Sequence, residues 1–149
     1  MSLDSEVAVI RQVPIFSAIN PAQQKLLCFS SERLTFEPGE VLFREGEAAD
    51  AAYVLIEGAV EITIATRDGP RLVNIVGRND MVGETAIYGD VPRTATATAK
   101  THLETLRISQ DMFCELMRDN AQAALHLNRI LARRLANTTA LLSATLRAA

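Results

Sequence analysis

The chain of 149 residues has no tryptophan, only two histidines and only two cysteines. Cys28 and Cys114 lack the spacing of a metal or redox motif, and two cysteines cannot form a disulfide framework. We therefore expect packed free thiols in a reducing compartment. The chain also lacks a secretory signal and an apolar run long enough to span a bilayer, so we expect a cytoplasmic protein with no membrane partner.

The chain is also poor in clustered positive charge. Its formal net charge is -3 and it has no run of Lys or Arg, so we expect no direct DNA binding by this chain. His102 and His126 fall on different predicted elements, and neither has a Cys, Asp or Glu at ligand spacing. A metal-binding barrel of the cupin type and an enzyme are therefore disfavoured, and we predict neither a catalytic residue nor a cofactor.

The pattern of the chain predicts one domain over residues 1–149, since 48% hydrophobic residues suffice for a single core. N-terminal helices are predicted over about 5–31, with a first helix ending near Pro14 and an N-cap at Asn20. A strand-rich segment follows over about 33–108. C-terminal helices then cover about 109–147 and begin at an N-cap, Ser109.

The strand-rich segment alternates β-forming stretches with glycine-containing turns. Strands are predicted over 41–44, 53–57, 60–66 and 71–76. In the third of these, Val60, Ile62 and Ile64 alternate with less apolar residues, which indicates one buried face. Because no helical crossover separates the strands, the pattern predicts an antiparallel sandwich or barrel, and the fold class is mainly β with flanking α.

The long C-terminal helix, predicted from about Ala121, carries a narrow seam of residues spaced three and four apart. Its members are Ala124, Leu127, Leu131, Leu135, Thr138, Leu142 and Thr145. Such a seam is typical of helix pairing and favours a homodimer through this helix. The alternative is packing against the chain's own β structure.

One segment, residues 83–95, combines small residues with an acid and a base nine positions apart. Gly83 can adopt backbone angles closed to other residues, and a short helical turn after it would offer free amides to an anion. Arg93 can bind a phosphate through two parallel hydrogen bonds, and Glu84 can accept from ribose hydroxyls. A cyclic nucleotide presents both groups on one face. The alternative is an ordinary surface ion pair between Glu84 and Arg93, with residues 94–99 forming a closely packed strand.

The motif Gly83-Glu84-x-Ala86, followed by Pro92-Arg93-Thr94-Ala95, resembles the phosphate-binding cassette of cyclic-nucleotide-binding domains, as in catabolite activators and kinase regulatory subunits. The stretches 36–46 and 53–58 resemble the family's early β strands, and the resemblance covers about residues 10–145. It implies an antiparallel double-stranded β-roll, similar to a jelly roll, that binds cAMP or cGMP. The implied ligand-binding residues of the cassette are Gly83, Glu84, Thr85, Ala86, Arg93, Thr94 and Ala95. In this resemblance Glu84 binds the 2′-hydroxyl, and Arg93 binds the phosphate with help from the amides around Thr85 and Ala86.

Residues 131–139 are similar to the dimer helix of the catabolite activator family. Thr138 and Thr139 fall where two hydroxyl residues reach the purine, one from each subunit; the alternative is a polar exposed face. A hydroxyl at Thr94 is associated in the family with tolerance of guanine, so the choice between cAMP and cGMP stays open. We predict a sensor that relays ligand occupancy through its C-terminal helix. The alternative is a β-roll interaction module that has lost nucleotide binding.

Overall fold

The computed structural model describes residues 3–148, in which helices flank two sheets. Three helices open the chain: α1 (Leu3–Gln12), α2 (Pro14–Ser17) and α3 (Pro21–Ser30). The strands are β1 (Glu32–Phe36), β2 (Val41–Phe43), β3 (Ala51–Glu57), β4 (Val60–Thr66), β5 (Gly69–Val76), β6 (Met81–Val82), β7 (Thr96–Ala99) and β8 (Leu103–Ser109). A short helix, α4 (Glu84–Gly89), lies between β6 and β7, and α5 (Gln110–Asp119) and α6 (Ala121–Ala148) follow β8.

The strands form two antiparallel sheets of four strands each. One has the order β1-β8-β3-β6 and the other the order β2-β7-β4-β5. They are two separate sheets and not a closed barrel. The predicted antiparallel β-roll with flanking helices is confirmed, and the strand predicted at 60–66 has the predicted bounds.

Strand β3 separates two hydrophobic cores, because all of its residues but Glu57 are buried. Ala52, Val54 and Ile56 belong to the core shared with the helices. The alternate residues Tyr53 and Leu55 belong to a second core between the sheets. This alternation follows from the two-residue period of a strand, whose successive side chains point to opposite faces.

Both predicted helix caps are confirmed. The backbone N–H of Gln23 donates to Asn20 Oδ1 at 2.8 Å, and that of Met112 donates to Ser109 Oγ at 3.2 Å. Each bond satisfies one of the first-turn amides that a helix leaves without a partner. The caps therefore define where the helices before and after the sheets begin.

The two cysteines are free thiols, as predicted. Cys28, on α3, is buried in the core shared with the helices, and burial, assisted by the carboxylate of Glu6, raises the pKa of its thiol to about 11. Burial also raises the pKa of Cys114. Both groups are therefore protonated at neutral pH and packed as small apolar side chains.

Helix α6 is only partly attached to the rest of the fold. Its 28 residues span about 42 Å. Leu127 is fully buried and Leu131 packs against the core shared with the helices, whereas Leu135 and Leu142 are exposed. The predicted seam therefore packs against the chain's own body in its first half and faces solvent in its second. None of the helices between residues 3 and 148 combines the length and the hydropathy that crossing a membrane requires.

Candidate functional site

A cavity of about 680 Å³ lies between the second sheet, the segment around α4, and α6. Of the nine predicted ligand-binding residues, eight line it: Gly83, Glu84, Thr85, Ala86, Arg93, Thr94, Ala95 and Thr138. Thr139 does not, because it lies about 140° around the helix from Arg134, the first residue of α6 in the cavity lining. The structure therefore brings the whole predicted cassette together around one cavity.

Gly83 allows the chain to turn from β6 into α4 against the floor of the cavity. Its φ is 87°, in the left-handed region that glycine adopts without strain. A Cβ added here would lie 2.6 Å from Arg93 Nη1 and 3.1 Å from Phe43 Cε2. Glycine is thus required both by the backbone angle and by the close approach of the two side chains.

The Arg93 side chain is buried in the wall of this cavity, with 2% of it exposed. Nη1 donates to the carbonyl oxygen of Gly83 at 3.0 Å, and Nη2 donates to that of Ala51 at 2.6 Å. The guanidinium carbon lies 4.0 Å from the centre of the Phe43 ring, at cation–π distance. Nε is buried and has no acceptor within residues 3–148.

The charge of Arg93 is only weakly compensated. Burial lowers the pKa of the guanidinium, while Tyr53 and the carboxylates of Asp50 and Glu47 oppose that shift. Arginine nevertheless stays protonated at neutral pH. The Asp50 carboxylate lies 3.7 Å away and is largely exposed, so solvent screens it. The cavity wall therefore carries a buried positive charge that favours an anion.

Glu84 is buried as well, but its partner is not Arg93. Arg134 Nη1, on α6, donates to Glu84 Oε1 at 2.6 Å. The Glu84 side chain is 5% exposed and that of Arg134 is 53% exposed, so the contact connects a buried residue of α4 to a largely exposed residue of α6. The alternative of a surface ion pair between Glu84 and Arg93 is therefore wrong.

A second contact links α4 to α6. The Tyr88 hydroxyl donates to Asn128 Oδ1 at 3.0 Å, and the Tyr88 ring meets that of Phe113 edge to face. From α5, Gln110 Nε2 donates to the carbonyl oxygen of Ile87 at 3.0 Å. The short helix that carries the cassette is thus fixed to both C-terminal helices.

Of the residues that α6 contributes to the cavity, only Thr138 was predicted from the sequence. The others are Arg134 and Asn137, which lie four and one positions before it. The four-residue spacing between Arg134 and Thr138 could have identified Arg134, because residues three and four apart share a helix face. The apolar lining was also missed as a binding surface: Phe43, Ile62, Ile64, Val73, Val76, Met81 and Val82.

The two histidines lie outside this cavity lining. His102 Nδ1 is 3.0 Å from Glu37 Oε1 in an exposed pair. Across residues 3–148 there is no group of three or more His, Cys, Asp or Glu side chains arranged to hold a metal ion.

Comparison with known proteins decides the family. Residues 33–120 match the family model of the cyclic nucleotide-binding domain. The chain belongs to the cyclic nucleotide-binding domain family. The cassette of this cyclic nucleotide-binding domain lies inside the matched range, as do all eight strands except the first residue of β1.

Relatives of this cyclic nucleotide-binding domain are regulatory proteins. It is 32% identical over 131 residues to the CRP-like cAMP-activated global transcriptional regulator of Mycobacterium tuberculosis, covering 87% of this chain and 58% of that protein. It is 34% identical over 108 residues to a cAMP-dependent protein kinase regulatory subunit of Yarrowia lipolytica, covering 72% and 28%. The chain thus spans less than two thirds of either relative.

A solved structure of similar fold is the sensor domain of the transcriptional regulator DNR from Pseudomonas aeruginosa. The TM-score is 0.81 at 28% sequence identity, and the match covers 89% of this chain and 90% of that one. The similarity therefore includes the helices on both sides of the β-roll.

The geometry around Gly83 predicts a specific loss of stability. In Gly83→Ala, the unfavourable φ costs about 1–2 kcal/mol and displacement of Arg93 and Phe43 adds about 1–3 kcal/mol. Gly39→Ala is a matched control, because Gly39 has a φ of 90° but nothing within 4 Å of an added Cβ. Urea unfolding measures both free energies, and equal losses in the two variants would contradict the role of close approach at Gly83.

Proposed function

We propose that this domain binds a cyclic nucleotide monophosphate, cAMP or cGMP, and relays its occupancy through α6. The observation that carries the proposal is the state of Arg93, a buried cation whose Nε has no acceptor within the described residues. A cyclic phosphate would supply the compensating negative charge, and a shift of the guanidinium toward the cavity would bring Nε within reach of a phosphate oxygen.

The remaining cavity residues fit the other parts of such a ligand. The first-turn amides of Thr85 and Ala86 have no carbonyl partner inside α4, so they are free to donate to phosphate oxygens. Buried Glu84 accepts from the ribose 2′-hydroxyl. Thr94 and Ala95, which follow Arg93 in sequence, also line the cavity, and Ile62, Ile64 and Val73 offer apolar surface to the base.

The alternative function is an interaction module that no longer binds nucleotide. One observation favours it: Arg134 already satisfies Glu84 without a ligand. Arg93 favours the sensor, because a module without a ligand would retain a buried guanidinium with an unpartnered Nε. We therefore favour the nucleotide sensor over the interaction module.

Calorimetric titration with cAMP and with cGMP separates the two functions. We expect saturable binding by the wild type and a loss of at least about 30-fold in Arg93→Ala, since a hydrogen-bonded charge in a buried site contributes about 2 kcal/mol or more. Arg93→Lys keeps the positive charge but cannot form bidentate hydrogen bonds, so it should bind nucleotide with intermediate affinity. Arg133→Ala, at an exposed position of α6, should bind like the wild type. A folded wild type that bound neither nucleotide would establish the interaction module.

The relay would act through the contacts between α4 and α6. A ribose hydroxyl that donates to Glu84 changes the environment of its ion pair with Arg134, and the Tyr88–Asn128 bond moves with the same helix. Nucleotide can shift the position of α6 only through a difference in affinity between two arrangements. The Glu84–Arg134 contact is where that difference would arise.

Hydrogen exchange tests the relay. We expect saturating nucleotide to slow amide exchange in residues 121–145 of the wild type. Arg134→Met should still bind but show a much smaller change in α6, because the connection to Glu84 is lost. Arg133→Met, one residue away on another face, serves as the control and should respond like the wild type. If exchange in α6 of the wild type did not respond, the relay would be wrong.

The second half of α6 supports a homodimer. Leu135 and Leu142 lie seven residues apart and are 68% and 57% exposed, a spacing that suits a two-helix contact. In such a dimer Thr138 would face its own cavity. Thr139 points away from that cavity and would face the partner, as the resemblance implies.

Sedimentation velocity measures the association. We expect the wild type to be dimeric at micromolar concentration and Leu135→Glu with Leu142→Glu to be monomeric, because the charges would be buried in the contact. Ala140→Glu adds a charge on the opposite, exposed face and should leave the dimer intact. A wild type that sediments as a monomer throughout would exclude this dimer.

The cytoplasmic setting, the single-domain organisation and the lack of catalysis, cofactor and direct DNA contact stay predictions of the sequence.

A further inference from the structure

Phe43, the last residue of β2, contacts the guanidinium of Arg93, the cation that the proposed function assigns to the phosphate. The guanidinium carbon lies 4.0 Å from the centre of the ring, and both side chains line the cavity. A ring at this distance attracts a cation, and the attraction is largest where the cation is removed from water. Arg93 meets that condition, since only 2% of its side chain is exposed.

An irregularity in β2 directs Phe43 to this place. Val41 pairs with Thr98 and Phe43 pairs with Ala97, so two steps along β2 match one step along β7. A bulge of this kind changes the direction of the side chains that follow it. Leu42 and Phe43 both pack against the core between the sheets, although successive residues of a regular strand point to opposite faces. The bulge therefore brings the ring to the cavity.

Two further contacts fix the ring of Phe43. It is stacked on the buried ring of Tyr53, with the ring centres 6.2 Å apart and the planes at 25° to each other. Phe43 Cε2 lies 3.1 Å from the point where a Cβ on residue 83 would be, so the absence of a side chain at Gly83 leaves room for the ring. Close packing on several sides restricts a side chain to one arrangement. The surface that meets Arg93 is therefore rigid.

The ring counteracts a competing attraction on Arg93. The Asp50 carboxylate lies 3.7 Å from Arg93 Nη2, is largely exposed and does not line the cavity. It attracts the guanidinium away from the place where a phosphate would bind. Phe43 does line the cavity, so contact with its ring favours positions of the cation next to the ligand. A small shift toward a phosphate keeps the guanidinium within the range of about 6 Å over which a ring attracts a cation.

We propose that Phe43 is a positioning residue, which keeps the Arg93 guanidinium at the cavity and thereby raises the affinity of the site for a cyclic phosphate. The hydrogen bonds of the guanidinium to the carbonyl oxygens of Gly83 and Ala51 engage only Nη1 and Nη2, so Nε–H remains for the ligand. This inference rests on the proposed function, since it concerns the same cavity.

A double-mutant cycle, measured by calorimetric titration with cAMP and with cGMP, tests this role. We expect Phe43→Leu to weaken binding about tenfold, because leucine keeps the apolar bulk but has no ring to attract the cation. In the Arg93→Ala background the same substitution should change the affinity by less than about twofold, since the side chain through which Phe43 acts is gone. Phe43→Tyr keeps the ring and should bind within about threefold of the wild type.

Phe36→Leu is the matched control. Phe36 is also half-buried and its ring centre also lies 6.2 Å from that of Tyr53, but it does not line the cavity. Both leucine variants should lose stability in urea unfolding, because each removes a ring from the same core. Only Phe43→Leu should lose nucleotide affinity.

NMR of the Arg93 guanidinium gives a readout that does not need a nucleotide. The ring current of Phe43 should shift these resonances in the wild type, and the shift should disappear in Phe43→Leu but persist in Phe36→Leu.

The outcomes separate this inference from the function on which it rests. If the wild type binds nucleotide but Phe43→Leu has no effect, raises the affinity, or lowers it equally with and without Arg93, the positioning role is refuted and the sensor function stands. Equal losses of affinity in Phe43→Leu and Phe36→Leu would also refute it, because core packing would then explain both. If the folded wild type binds neither nucleotide, both proposals fail.

Discussion

The burial of the Arg93 guanidinium is the constraint on which the site depends. A cation removed from water must be hydrogen-bonded, and here the acceptors come from distant parts of the chain. The side chain donates to the carbonyl oxygens of Ala51, at the start of β3, and Gly83, before α4. Its backbone is fixed too, since Arg93 N–H donates to the Glu47 carbonyl oxygen at 2.9 Å and Gly46 N–H donates to that of Arg93 at 2.8 Å. One residue therefore holds together the turn before β3, the first residue of that strand and the entrance to α4.

Helix α4 connects this part of the site to the C-terminal helices α5 and α6. It is only six residues long, too short to be stable alone, so its position is set by its neighbours. Gln110 of α5 donates to it, and its own residues Tyr88 and Glu84 contact α6. Side chains of α4, which lines the cavity, are consequently in direct contact with side chains of α6. The proposed relay to α6 rests on these shared contacts.

How much the sequence predicts depends on the range of the interaction involved. The caps at Asn20 and Ser109 and the turn at Gly83 follow from nearby residues, so they could be predicted. The pairing of β1 with β8, whose partners include Glu32 and Arg107, has no local signal. The Glu84–Arg134 contact joins residues 50 positions apart and was missed for the same reason. The family resemblance identified the cassette, but the contacts that bury it became evident only in the folded chain.

The outer half of α6 has a thermodynamic consequence for any process that involves it. Residues 135–148 form a segment of the length at which an isolated helix is only marginally stable in water. Its leucines at 135, 141, 142 and 146 remain exposed and contribute little to holding it in the folded monomer. Little tertiary packing therefore stabilises the helical state of this segment in the monomer. In the proposed dimer, a contact with a free energy of about 1–2 kcal/mol would therefore be enough to stabilise this half of the helix appreciably.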